Sequence, residues 1–266
     1  MIVFSHANSF PASTYRLLFD SLRGRGFAIR AIEKYGHDTR YPVSNNWPYL
    51  VQQLCEFTQA QAEKTDQPIW LVGHSLGGYL SLLAATRLTQ RVRGVVLVDS
   101  PLLGGWKSKA LGLIKRTPLL EKYSPGAVSR NRRTHWDNVE QAFAHFRHKR
   151  AFANWDEEVL RDYVSQGTEL RDGRRVLAFD RAIETAIYDG LPHTLERQLK
   201  LHPPRCPVHF IGGTHSEELR RVGLTLTTRI TRGRITMLEG SHLFPMERPV
   251  ETAAAIAAAI SSMQAP

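Results

Sequence analysis

The chain has 266 residues, a formal net charge of +10 and a hydrophobic fraction of 42%. This length suits one large domain or a core with an insertion, and this hydrophobic fraction excludes wholesale disorder. There is no basic leader with an apolar run and no apolar stretch of about 18 residues, so we expect no signal peptide, no membrane span and a cytoplasmic protein. The two cysteines, Cys55 and Cys206, are too few for a disulfide framework and are not spaced as a metal site.

Up to Pro101, short apolar runs alternate with segments of helical periodicity. Strands are predicted at MIVF, FAIRAIEKY, PIWLV and VRGVVLV, and helices at PASTYRLLFDSLRGRG, WPYLVQQLCEFTQAQAE and SLGGYLSLLAATRLTQ. Strands that alternate with helices form βαβ units. The pattern therefore indicates an α/β fold with a mostly parallel central sheet and helices on both of its faces.

This alternation stops after Pro101, where a long charged segment of helical character and several tryptophans follows. It resumes with the strand PVHFIGG, the helix SEELRRVGLTLTTRI, the strand RITMLEG and a terminal helix that includes ETAAAIAAAISSMQ. An insertion between two strands of one sheet indicates a lid or cap. We therefore predict a core formed by residues 1–101 and 204–266, and a helical cap formed by residues 102–203.

Positive charge is concentrated in the predicted cap, where residues 107–150 include 11 Lys and Arg against three Asp and Glu. One interpretation is a solvated, arginine-rich surface. The other is an electrostatic field that attracts anionic substrates. Because no aromatic-interleaved basic motif or known nucleic-acid module accompanies the charge, nucleic acid is not an expected partner.

The strongest local motif is G-x-S-x-G, formed by Gly73, Ser75 and Gly77 between the strand PIWLV and a helix. In this context the serine occupies a sharp, strained strand-to-helix turn, where the residues two before and two after it crowd together. Glycine has no Cβ that would clash there. We predict that Ser75 is a nucleophile and that the backbone N–H of Leu76, at the helix N-terminus, points toward a developing oxyanion.

A serine hydroxyl is a poor nucleophile at neutral pH and needs a general base. His242 lies in LEGSHLFPMERP, directly after the last predicted strand, so its loop should reach the same edge of the sheet. Hydrolases with this motif carry their residues in the order Ser, acid, His. His242 is therefore the predicted base.

Over essentially its whole length the sequence resembles the α/β-hydrolase fold family, through FSHANSFPAS, GHSLGG, VLVDSP and SHLFPMERP. The resemblance implies a Ser-His-acid hydrolase that needs no metal and no organic cofactor. It also implies that the backbone N–H of Asn8 is the second oxyanion donor, although Ala7 replaces the usual glycine of that loop. His6 is expected to brace the loop.

The resemblance departs from the family at the acid, because Ser216 stands where an aspartate normally follows the penultimate strand. A neutral serine does not stabilise an imidazolium as a carboxylate does. Two carboxylates remain as candidates: Asp99, at the end of VRGVVLV, and Glu217, beside the empty position. We favour Asp99 and keep Glu217 as the alternative acid, although Asp99 also suits a turn before Pro101.

The family usually has two strands before the one that opens this sequence, so either the protein lacks this hairpin or this sequence starts after it. Without the hairpin FAIRAIEKY is an edge strand, and an exposed edge tends to pair with another chain, so a homodimer is a candidate assembly.

Together these inferences describe a serine hydrolase that cleaves an ester or related acyl bond of a small molecule, with an anionic substrate as one option. A C–C bond hydrolase, a lyase or an acyltransferase fits the same triad, because fold and triad do not choose among these reactions. A non-catalytic ligand-binding relative is the remaining alternative.

Overall fold

The computed structural model describes residues 1–115 and 129–264, and its central feature is a six-stranded parallel sheet of order β2-β1-β3-β4-β8-β9. The strands are β1 (Ile2–Ser5), β2 (Ile29–Ala31), β3 (Ile69–His74), β4 (Val92–Val98), β5 (His135–Trp136), β6 (Thr168–Arg171), β7 (Arg174–Leu177), β8 (Val208–Gly213) and β9 (Ile235–Leu238). The predicted α/β fold with a mostly parallel sheet is confirmed.

Twelve α-helices lie in the described residues, with short 3₁₀ turns at Ala12–Tyr15 and Arg150–Phe152. The helices are α1 (Arg16–Gly24), α2 (Pro48–Ala62), α3 (Leu76–Arg87), α4 (Gly105–Ile114), α5 (Val139–Arg147), α6 (Glu157–Gly167), α7 (Arg181–Asp189), α8 (Leu195–Leu201), α9 (Glu217–Val222), α10 (Thr225–Thr231), α11 (Phe244–Glu247) and α12 (Pro249–Gln264). None of these helices combines the length and the apolar character that crossing a bilayer requires.

The central strands bury both of their faces. In β4, Val95 and Leu97 pack into a core with α2 and α3, whereas Val96 and Val98 pack into a second core with α1 and α12. Successive side chains of a strand point to opposite faces, so both sets are apolar and all four residues are fully buried. This explains why the strands read as continuous apolar runs rather than as an alternating pattern.

Two predicted elements differ from the structure in their extent. Only Ile29–Ala31 of the predicted strand FAIRAIEKY pairs with β1, so the edge strand is short. The predicted helix SEELRRVGLTLTTRI is two helices, α9 and α10. The break occurs at Gly223, whose φ of 82° ends α9 in a conformation that glycine adopts without a steric penalty.

Between β4 and β8, the described residues form α4 to α8 and a small antiparallel sheet of order β5-β7-β6. The sequence pattern predicts helices here, and this small sheet was not predicted. Its signal was Asp172-Gly173, a two-residue turn with φ values of 50° and 76° that joins β6 to β7. Asp-Gly favours such hairpin turns because both positions need positive φ. Residues 116–128 of the predicted cap and its basic stretch lie outside the described residues.

The inserted segment packs on the core beside the loop that follows β1. Phe10, in that loop, contacts Trp155 and Tyr163, with ring centroids 6.2 and 5.3 Å away. Arg16 at the start of α1 also forms ion pairs with Glu158 and Asp162 of α6, both at 2.8 Å. The insertion is therefore anchored next to the carboxyl end of β1.

Candidate active site

Ser75 lies between β3 and α3 with φ 53° and ψ −115°, the strained turn that the motif predicts. A Cβ on Gly77 would come within 1.9 Å of the Ser5 carbonyl oxygen, and one on Gly73 within 2.1 Å of the Gly77 oxygen. Both contacts are with backbone atoms, which cannot swing aside. The two glycines therefore let α3 begin directly against the sheet and hold Ser75 at its edge.

The structure brings Ser75, His242 and Asp99 together in one hydrogen-bonded chain. Nε2 of His242 lies 3.0 Å from Oγ of Ser75, and Nδ1 lies 2.6 Å from Oδ2 of Asp99. A carboxylate only accepts hydrogen bonds, so Nδ1 carries the proton and Nε2 of the neutral ring accepts from the serine. This arrangement can remove a proton from Ser75.

Asp99 follows β4 with φ 38°, and it is fully buried. Its Oδ1 accepts the N–H of Gly213 at 2.7 Å, and its Oδ2 accepts the hydroxyl of Ser216 at 2.6 Å. Ser216 also caps α9 by accepting the N–H of Leu219 at 3.0 Å. The serine at the position of the usual acid thus serves as a hydrogen-bond donor to a carboxylate supplied by the neighbouring strand.

The alternative acid Glu217 is not brought to His242. Its carboxylate forms an ion pair with Arg221 at 3.0 Å, one turn further along α9. The second carboxylate near the histidine is Glu218, whose Oε2 lies 3.8 Å from Nδ1 of His242 and whose side chain is 46% exposed. Glu218 was not predicted as a site residue, because the direction in which its side chain points depends on where α9 begins.

These groups determine the pKa of His242. Burial disfavours the imidazolium, but the hydrogen bond to Asp99 and the negative charges of Glu218 and Asp99 outweigh it and raise the pKa of His242. The site therefore stabilises the protonated ring, which is the state a general base reaches after it has accepted a proton.

The two predicted oxyanion donors lie after neighbouring strands. Asn8 follows β1 and Leu76 follows β3, and these strands are paired in parallel with Ser5 opposite Gly73. Among the described residues, the backbone N–H groups of Asn8 and Leu76 have no hydrogen-bond acceptor. Both amides are therefore available for a ligand at the same sheet edge as Ser75.

Two buried histidines brace this edge, and each is neutral. Nδ1–H of His6 donates to the Ala7 carbonyl at 2.8 Å, and its Nε2 accepts the N–H of Tyr35 at 3.0 Å. Burial lowers the pKa of His6 to about 4 and the pKa of His74 to about 3. His6 thus contacts its own loop, in line with the bracing expected of it.

His74 belongs to a chain of hydrogen bonds that links the β1 loop to the His242 loop. Its Nε2–H donates to the His242 carbonyl at 2.9 Å, so its Nδ1 accepts the hydroxyl of Tyr15 at 2.8 Å. The Tyr15 oxygen in turn accepts the N–H of Ala7 at 3.0 Å. The N–H of Ala7 is therefore already hydrogen-bonded within the protein.

Asp99, Glu218 and His242 are also the one group in the described ranges that could chelate a metal ion, since their ligand atoms lie within 4.8 Å of one another. Both oxygens of Asp99 already accept hydrogen bonds, and Nδ1 of His242 is committed to Oδ2. A metal at this position would have to displace these bonds. The arrangement favours proton transfer over metal coordination.

Comparison with known proteins places the chain among hydrolases. The family model described as "Alpha/beta hydrolase family" matches residues 2–255. Monoglyceride lipase of Mus musculus is 26% identical over 145 residues, which are 50% of this chain and 48% of the lipase. The chain therefore matches about half the length of this curated relative.

Solved structures resemble nearly the whole chain. E-2-(acetamidomethylene)succinate hydrolase has a TM-score of 0.75 at 21% identity, covering 98% of this chain and 91% of that one. The thioesterase domain of the curacin biosynthetic pathway has a TM-score of 0.73 at 19% identity, with coverage of 96% and 90%. An esterase of M. tuberculosis has a TM-score of 0.70 at 17% identity, with coverage of 98% and 84%. At these identities the likeness concerns the fold.

Replacing Glu218 with Gln should lower the pKa of His242, because it removes a negative charge 3.8 Å from Nδ1 and keeps the shape of the side chain. NMR titration of the imidazole resonances measures this pKa directly, without a substrate. Glu217→Gln is the matched control, since its carboxylate pairs with Arg221, and it should leave the titration unchanged. An unshifted midpoint in Glu218→Gln would contradict the electrostatic role of Glu218.

Proposed function

The chain belongs to the alpha/beta hydrolase family, and from this premise we propose that it cleaves an ester or related acyl bond of a small molecule by covalent catalysis on Ser75. One observation carries the proposal: the hydrogen-bonded chain from Ser75 through His242 to Asp99, with distances of 3.0 and 2.6 Å. A nucleophile within reach of a base, which is itself oriented by a third group, is the signature of covalent acyl transfer.

In the proposed reaction, Oγ of Ser75 attacks the substrate carbonyl carbon while Nε2 of His242 takes the hydroxyl proton. The carbonyl oxygen becomes an oxyanion and accepts hydrogen bonds from the N–H groups of Leu76 and Asn8. His242 then protonates the leaving group as the tetrahedral intermediate collapses to an acyl-serine. A water molecule, deprotonated by His242, attacks the acyl carbon of the acyl-serine. As this second tetrahedral intermediate collapses, His242 returns the proton to Oγ of Ser75 and the acid is released.

Asp99 is the proposed acid of the triad. Its carboxylate is fully buried, and its three hydrogen-bond partners hold it in one orientation against Nδ1 of His242. A fixed carboxylate keeps the ring in the tautomer that accepts the serine proton and stabilises the imidazolium that forms.

The names of the relatives support acyl esters and thioesters as the substrate class. One is a monoglyceride lipase, one an esterase and one a thioesterase domain. Residues 102–203 are the proposed cap over the site, and the charge of residues 107–150 is proposed to favour substrates with an anionic group. Arg132 does not contribute a free charge, because it forms an ion pair with Glu184.

Ser75→Ala should lower kcat on short acyl esters by about 10⁶-fold or to below detection, because it removes the hydroxyl that hydrogen-bonds Nε2 of His242 and attacks the substrate. A fluorophosphonate probe should label the native protein and fail to label this variant. Circular dichroism should show an unchanged fold. Esterase activity in Ser75→Ala close to that of the native protein would refute the assignment.

Asp99→Asn should lower kcat by at least about 100-fold, because an amide can hold the His242 ring in the wrong tautomer and does not stabilise its charge. Glu217→Gln is the control and should change kcat little. Steady-state kinetics on one ester with both variants decide between the two carboxylates. A larger loss in Glu217→Gln than in Asp99→Asn would reverse the assignment.

Exposed charges of the basic stretch provide the test of the anionic-substrate proposal. Lys109 and Arg150 are both exposed. The double variant Lys109→Glu/Arg150→Glu should lower kcat/KM for an ester with a free carboxylate, and should weaken the fall of that kcat/KM with added salt. An uncharged ester of the same size should be unaffected. Equal salt dependence in the native protein and the variant would show that these charges are only a solvated surface.

A further inference from the structure

The loop after β1 contains a strained residue that is not a glycine. Ser9, next to Asn8, is buried and has a φ of 76°. A serine in the left-handed region persists only where surrounding contacts impose that conformation. The groups that contact this loop therefore help to determine where the Asn8 amide points.

One of these groups is Arg132, which comes from the inserted segment and precedes β5. Its side chain is 15% exposed, and Nη1 donates to the hydroxyl oxygen of Ser9 and to both carboxylate oxygens of Glu184, at 3.2 and 3.1 Å. Nη2 donates to the hydroxyl of the buried Tyr163 at 2.6 Å. Burial opposes the charge, yet Tyr163 and Glu184 raise the pKa of Arg132, so the guanidinium stays protonated.

The other group is Glu184, on α7 of the same inserted segment. Its side chain is 7% exposed, and its backbone carbonyl accepts Nδ2 of Asn8 at 3.0 Å. The guanidinium of Arg132 thus contacts the side chain of Ser9, and the backbone of Glu184, whose carboxylate pairs with that guanidinium, contacts the side chain of the neighbouring Asn8. All of these contacts come from one segment, whereas Tyr15 contacts the loop at the Ala7 N–H.

We propose that the Arg132–Glu184 ion pair is a positioning device, by which the inserted segment fixes the Asn8 backbone amide as an oxyanion donor. The inference rests on the proposed function, since it assigns a role within that same site. Preorganised donors are effective because they need no reorganisation when negative charge develops. Neither residue touches the reacting atoms, so both act only through the loop.

If Arg132 had a purely structural role, its loss would not affect the chemical step, and Arg16 provides a control for that case. Arg16 also joins the core to the inserted segment, through Glu158 and Asp162, and its third ion pair is with Asp20 of its own helix. If Arg132 only tethers the two parts, neither Arg16→Met nor Arg132→Met should change the rate of the chemical step, although Arg132→Met should destabilise the fold more, because it leaves the buried Glu184 unpaired. If Arg132 positions the loop, only its loss should lower the rate of the chemical step.

The test compares Arg132→Met, the double variant Arg132→Met/Glu184→Met, Ser9→Ala and Arg16→Met. We expect the two Arg132 variants to lose about tenfold to 100-fold in kcat and in the rate of fluorophosphonate labelling, as small misplacements of catalytic groups do. KM and the pH midpoint of His242 should stay unchanged, because substrate contacts and the histidine are untouched. Arg16→Met should match the native protein in kcat.

Each outcome then has one meaning. The double variant leaves no unpaired buried charge, and Ser9→Ala removes a single hydroxyl, so these two remain informative if Arg132→Met does not fold. Native kcat in both would overturn the proposal, as would an equal loss in Arg16→Met. If fluorophosphonate does not label the native protein at all, the proposed function fails first. Labelling of the native protein with equal labelling of the Arg132 variants refutes the positioning role alone.

Discussion

The carboxylate of Asp99 is the constraint on which the rest of the site depends. An isolated charge without solvent contact is costly, and here it is balanced by hydrogen bonds from His242, Ser216 and the Gly213 amide. His242 follows β9, whereas Gly213 ends β8 and Ser216 caps α9 in the connection between these two elements. Satisfying one buried charge therefore fixes two chain segments relative to the end of β4, and the orientation of the His242 ring follows from it.

The parallel sheet makes this convergence possible. The loops after β1, β3, β4, β8 and β9 all leave from the carboxyl ends of strands, so they meet at one edge regardless of their distance along the chain. Ser75 and His242 are 167 residues apart in sequence, yet their side chains are hydrogen-bonded. The glycines around Ser75 add the close approach of α3 that places the hydroxyl among the other loops.

The buried histidines and the buried tyrosine that support the β1 loop and the His242 loop are neutral. His6 and His74 are buried as neutral rings with fixed tautomers, and the Tyr15 hydroxyl joins one of them to the β1 loop. A neutral ring between two partners orients a loop without the desolvation cost of an ion. Beyond the β1 loop, the charges of Arg132 and Glu184 neutralise each other.

The sequence by itself predicted the parallel α/β core and placed Ser75 and His242 at one edge of its sheet, because strand periodicity and the G-x-S-x-G turn are local properties. It left two carboxylates, Asp99 and Glu217, as candidates for the acid, and only the structure shows that Asp99 hydrogen-bonds His242. It did not determine the role of Ser216, the approach of Glu218 or the pairing of Arg132 with Glu184. Each of these depends on distances between segments far apart in the chain, and on which way a side chain points when its helix begins. Local pattern carries no information about such distances, so only the tertiary structure decided them.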